Sequence, residues 1–165
     1  MSGDYFCPAY RLDPASREAV AAWVGAQPWP SATKLKDPAK YHVTCLYSPV
    51  GFAQERNHRW LAAQPACVFS ARCVAVEIFG SGRRRNRLAA VVLRLAGQEL
   101  QAHAEALMDA AESELDLPVS HPSGGYKPHV TVAFAAGPVI FRAPDLQLDL
   151  GPLYEHHSEQ SSRVA

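Results

Sequence analysis

Neither sign of charge is in excess: sixteen Lys and Arg residues balance sixteen Asp and Glu, leaving no formal net charge across 165 residues. A broad nucleic-acid footprint would show as a basic surplus, so only a small local patch is compatible with this balance. Apolar runs are short, and none approaches the ~20 residues that span a bilayer. The four cysteines (Cys7, Cys45, Cys67 and Cys73) have no C-x-x-C spacing and read as reduced, mostly buried thiols. No G-x-S-x-G elbow is present, which leaves a serine-type triad without support. The opening MSGDYFCPAYRLD lacks the basic and apolar regions of a signal peptide. A cytoplasmic protein without a membrane partner is expected.

What is present fits one ordinary domain. Hydrophobic residues make up 48% and charged residues 19%, which are globular values. A single domain is expected over 1–153, followed by a polar, flexible tail over 154–165. Residues 4–12 read as a first strand, and Asp13-Pro14 as the N-cap and first turn of a helix over 14–26 with Val20, Trp23 and Val24 buried. A short helix is expected near 53–63, then strands over 67–79 and 88–96. A long helix over 97–115 buries Leu100, Ala104, Leu107, Met108, Ala111 and Leu115. VIFRA and LQLDLG close the chain as one or two strands. The order is α+β, and its simplest account is two similar lobes about a pseudo-twofold axis.

One octapeptide is written twice. KYHVTCLY occupies 40–47 and KPHVTVAF occupies 127–134, each reading Lys-x-His-Val-Thr. In a strand, alternate side chains share a face. Lys40, His42, Thr44 and Leu46 then point one way, with Tyr41, Val43, Cys45 and Tyr47 opposite. Lys127, His129, Thr131 and Ala133 do the same against Pro128, Val130, Val132 and Phe134. The apolar sets belong to the core, so Lys, His and Thr project together twice.

Two imidazoles and two hydroxyls in one cleft suit a phosphodiester. Histidine titrates near neutrality, at ~6.5 when unperturbed, so one ring can serve as base while the other serves as acid. The hydroxyls can hold the charge growing on phosphate oxygens. Neither motif offers an acidic metal ligand, and no metal or other cofactor is expected.

These paired H-x-T strands resemble the two-histidine (2H) phosphoesterase superfamily, which includes RNA 2′,3′-cyclic phosphodiesterases once called 2′-5′ RNA ligases and viral 2′,5′-phosphodiesterases. The resemblance runs from the first strand to about Gly151. It implies His42 and His129 as the acid/base pair and Thr44 and Thr131 as phosphate-binding hydroxyls. It also implies a bilobal α+β fold in which two small antiparallel sheets line a central cleft. The first motif continues as CLYSP and the opening as PAYRLD, departures that point to a compact, phage-type branch. The expected activity is metal-independent cleavage of 2′-5′-linked or cyclic (oligo)nucleotides, 2′,3′-cyclic phosphates among them, by a monomer. RNA-end processing and a non-catalytic nucleotide-binding module are the alternatives.

Other residues stay open. Lys40 and Lys127 read equally as rim cations or surface lysines, and Tyr126 equally as a base-stacking ring or a packed turn residue. Arg83, Arg84, Arg85 and Arg87 form the densest basic cluster, read first as a solvated hairpin tip. His58, His103 and His121 read as surface or structural, and His156-His157 as tail residues without an ordered role.

Overall fold

The computed structural model describes residues 4–51, 54–80 and 88–157; the basic cluster at Arg83–Arg87 lies outside them. In chain order the elements are β1 (Tyr5–Phe6), β2 (Pro8–Leu12), α1 (Pro14–Gly25), β3 (Lys34–Leu35), a 3-10 turn (Pro38–Lys40), β4 (His42–Thr44), β5 (Ser48–Gly51) and α2 (Glu55–Ala62). These are followed by β6 (Phe69–Phe79), β7 (Ala89–Ala96), α3 (Gln98–Leu115), β8 (His129–Ala135) and β9 (Gln147–Glu155).

Local chemistry sets the helices. The Asp13 carboxylate accepts the Ser16 N–H at 2.7 Å and Pro14 opens α1, the capping pattern that satisfies an orphan donor. Ser16, Val20 and Val24 form the buried stripe of α1, and the Ser16 hydroxyl accepts the Asp149 N–H at 2.8 Å. Trp23 is only partly buried. All six residues expected on the inner face of α3 are buried. That helix ends at Asp116, whose φ of 53° is left-handed.

The expected pair of separate sheets is joined into one. The strand order is β3-β8-β4-β2-β9-β6-β7, and β7 also pairs with β8, while β1 and β5 form a separate ribbon. The pairing closes β8, β4, β2, β9, β6 and β7 into a six-stranded, barrel-like ring. Tyr10, Val43 and Val130, all fully buried, lie in one cross-strand row. The Tyr10 hydroxyl reaches His103 Nδ1 on α3 at 2.7 Å, so this row faces the helix. The opposite strand face carries His42, Thr44, His129 and Thr131, whose partial burial marks it as a groove.

Three expectations about elements are corrected. VIFRA (139–143) forms no strand, so β9 alone closes the sheet. β9 continues through Tyr154 and Glu155, so the polar tail does not start at 154. Tyr47 and Phe134, expected in the core, are 40% and 37% exposed. β4 stops at Thr44, which ends the alternation before Tyr47. The β7–β8 ladder slips register between Val91 and Val92, which places Val132 and Ala133 both in the core and turns Phe134 out.

Candidate active site

The two H-V-T triplets are adjacent strands. Val43 pairs with Val130, and continuing that antiparallel register sets His42 opposite Thr131 and Thr44 opposite His129. All four polar side chains therefore share the groove face, each partly buried. The row extends on both sides. On β2, Arg11 lies opposite His42 and Ala9 opposite Thr44, and on β7, Arg94 lies opposite His129.

Both imidazoles are held in the same way. His42 Nδ1 lies 3.0 Å from the Lys40 carbonyl and His129 Nδ1 lies 2.7 Å from the Lys127 carbonyl. A carbonyl only accepts, so each Nδ1 carries the proton and each Nε2 presents its lone pair. Burial pushes His42 down to about 3, with further lowering by His156, Lys36 and His129. Burial also lowers His129; Arg94 and Lys36 add to this, and Glu77 opposes it. Both rings are neutral at neutral pH.

The surroundings of the two rings differ. His156 stacks on His42 with centroids 3.6 Å apart. Its backbone N–H donates to the Cys7 carbonyl at 2.9 Å, and its Nδ1 lies 3.2 Å from the Tyr154 hydroxyl. Burial, Lys36 and His157 push His156 down to about 4. His129 instead meets the edge of Phe79 at 4.7 Å, beside an Arg94–Glu77 ion pair of 3.1 Å. Lys36 enters from the end of β3, where its backbone N–H donates to the Val132 carbonyl at 2.9 Å. Its charge acts on His42, His129 and His156. Among the described residues, no three His, Cys, Asp or Glu side chains converge as a metal-ligand set.

The same architecture occurs in solved structures. One described as a phosphoesterase superposes with a TM-score of 0.64 at 18% identity, covering 94% of this chain and 88% of its own. TT0787 of Thermus thermophilus gives 0.63 at 20% identity, covering 90% and 85%. LigT of E. coli, in complex with NADP+, gives 0.62 at 18% identity, covering 94% and 88%. The chain shares the fold of these structures. No protein-family model matches the sequence, and no curated protein does.

Within this fold, His42, Thr44, His129 and Thr131 come together on one face. Lys40 ends the 3-10 turn and Lys127 precedes β8, so neither belongs to the strand alternation, and each supplies the backbone carbonyl that orients its histidine. The Lys127 ammonium lies toward Gly124, 3.9 Å from where a Cβ there would sit. Tyr126 is 8% exposed, and its hydroxyl donates to the Thr44 carbonyl at 2.7 Å; it braces β4 and has no open face for a base. His156 is the reverse case, a residue that reads as tail in the sequence and stacks on His42 in the fold. Sequence reasoning also misses Lys36, Arg11 and Arg94, because none belongs to a motif and only the strand register brings them to the groove.

Proposed function

We propose that this chain is a phosphodiesterase that cleaves 2′-5′-linked or cyclic (oligo)nucleotides, 2′,3′-cyclic phosphates included, without a metal. The observation that carries the reading is the pair of Nε2 lone pairs, each fixed by an Nδ1–H···O=C bond and flanked by a threonine of the other strand. For a cyclic phosphate, one Nε2 takes a proton from water as its oxygen attacks phosphorus. The other ring, protonated, gives its proton to the departing ribose oxygen, leaving a phosphomonoester. In a 2′-5′ linkage a neighbouring ribose hydroxyl takes the place of water. Thr44, Thr131 and Lys36 hold the non-bridging oxygens as their charge grows.

Burial keeps both rings neutral in the free protein, so the acid must be charged by the substrate. A phosphodiester anion raises the pKa of a nearby imidazole, and binding therefore takes up the proton that catalysis returns to the leaving group. The solved complexes of E. coli LigT with NADP+ and with 3′-AMP show that this architecture accommodates nucleotides in that protein, which supports the substrate class here.

The test uses His42→Ala and His129→Ala, assayed with EDTA on 2′-5′ oligoadenylate, 2′,3′-cyclic nucleotides, cyclic dinucleotides and a long RNA with a cyclic phosphate end. The wild type is expected to turn over at least one of these with chelator present. Each variant is expected to lose about 10²- to 10⁴-fold. Full activity in either variant, or loss of wild-type activity to EDTA, overturns the mechanism. Tight binding without turnover across the panel would make the chain a nucleotide-binding module. A preference for the long RNA would make it an RNA-end-processing enzyme.

A further inference from the structure

We propose that the groove carries a second phosphate site, formed by Arg11 over Tyr154, and that the substrate bears a phosphate beyond the scissile one. The proposal rests on the phosphodiesterase reading above and names the substrate class within it.

The register places the site. Arg11 lies directly opposite His42, one strand spacing of ~4.8 Å away, so the two residues share a sheet face. The β2–β9 ladder slips register between Tyr10 and Leu12, with Tyr10 facing Leu153 and Leu12 facing Leu150. Arg11 thus faces two residues, Gly151 and Pro152. A bulge of this kind bends the strand and re-aims the side chain opposite it. Here it brings the guanidinium to 4.0 Å from the centre of the Tyr154 ring.

The charges on the two sides of the site differ. Arg94, beside His129, is neutralised by Glu77 at 3.1 Å. Arg11, beside His42, is exposed, and no described carboxylate forms an ion pair with it. A guanidinium stacked on an aromatic face keeps its in-plane N–H donors free for an anion, and its planar fork matches phosphate oxygens. The Tyr154 hydroxyl in turn contacts His156, which stacks on His42. His42 stacks on His156, the His156 and Tyr154 rings meet edge to face at 6.0 Å, and Arg11 covers Tyr154, so the four form a connected row of rings and cation leading away from the scissile position. A mononucleotide 2′,3′-cyclic phosphate has no second anion for this arm, whereas an oligonucleotide or a nucleotide with a terminal phosphate does.

The experiment compares kcat/KM of the wild type, Arg11→Met and Arg11→Lys on three substrates: adenosine 2′,3′-cyclic phosphate, the same nucleotide with a 5′-phosphate, and a dinucleotide ending in the cyclic phosphate. The wild type is expected to prefer the two doubly charged substrates. In Arg11→Met the ratio of doubly to singly charged substrate is expected to fall about ten-fold, and Arg11→Lys is expected to retain part of it. The 5′-phosphate and dinucleotide arms distinguish a terminal phosphate from an internal diester as the occupant. An unchanged ratio in Arg11→Met, or an equal loss on all three substrates, overturns the proposal. Binding separates it from the activity: adenosine 3′,5′-bisphosphate should bind the wild type more tightly than 3′-AMP and should lose that advantage in Arg11→Met. Loss of the advantage with no turnover of any substrate would overturn the phosphodiesterase reading and leave the second phosphate site standing.

Discussion

Lys36 shows how a single residue can set the electrostatics of a site that its own segment does not advertise. It follows a two-residue strand, is partly buried, and has its pKa lowered by burial and by Lys40. The ammonium nonetheless acts on both H-x-T histidines and on His156. Replacing it with methionine keeps the packing of the stem and removes the cation. A charge-assisted bond to phosphate contributes ~1.5–3 kcal/mol, so Lys36→Met is expected to lower kcat/KM by roughly ten- to hundred-fold. Because Lys36 lowers both histidines, their NMR titrations should also move to higher pH in the variant. Unmoved titrations would show that the ammonium lies away from the site. At this scale His42, Thr44, His129 and Thr131 are legible because a repeated triplet with period two fixes a shared face. Lys36, Arg11 and His156 are not, because each arrives through strand pairing between segments that have no common pattern.

At the level of elements, β9 does more than close the sheet. Its first half pairs with β6 and its second half with β2; the bulge between them redirects Arg11, and the chain beyond carries Tyr154 and His156 to the groove. Gly151 permits this. Its φ of +132° is in the region that glycine adopts freely, and a Cβ there would sit 2.1 Å from the Cys67 carbonyl oxygen. Backbone strain and a clash with main chain both oppose a side chain at this position. Gly151→Ala is expected to destabilise the fold by about 3 kcal/mol in urea unfolding, whereas Gly137→Ala, with open space around it, should change stability little. Equal effects in the two variants would remove the bulge from the account. α3 can be read from sequence because its six buried residues follow helical spacing without interruption. VIFRA cannot, because a short apolar run carries strand propensity but cannot supply a ladder partner. The core is legible in its Val and Leu rows; the slip in β8 that exposes Phe134 depends on pairing with β7.

The ring as a whole encloses the groove, and that enclosure has a cost in acid. His42, His129 and His156 are all partly buried there, and burial is the largest cause of the lowered pKa of each. A histidine whose folded pKa lies below its unfolded value leaves the unfolded chain binding more protons, so stability rises with pH across the gap. The contribution is most favourable above about 6.5 and falls as pH drops toward about 3 for His42 and about 4 for His156. Glu155 works in the opposite direction, since burial raises its carboxyl. Asp13, lowered by its bond to Ser16, adds to acid sensitivity only nearer its own range. Between pH 6.5 and about 5 the histidines therefore dominate, each adding at most ~1.4 kcal/mol per pH unit, with solvent screening reducing that for partly exposed rings. Chemical unfolding at a series of pH values should show stability falling steadily through this window. His42→Gln with His156→Gln should flatten the slope, and phosphate should restore stability to the wild type by pairing with the charged rings. A slope that the double variant leaves unchanged would place the acid sensitivity outside the groove.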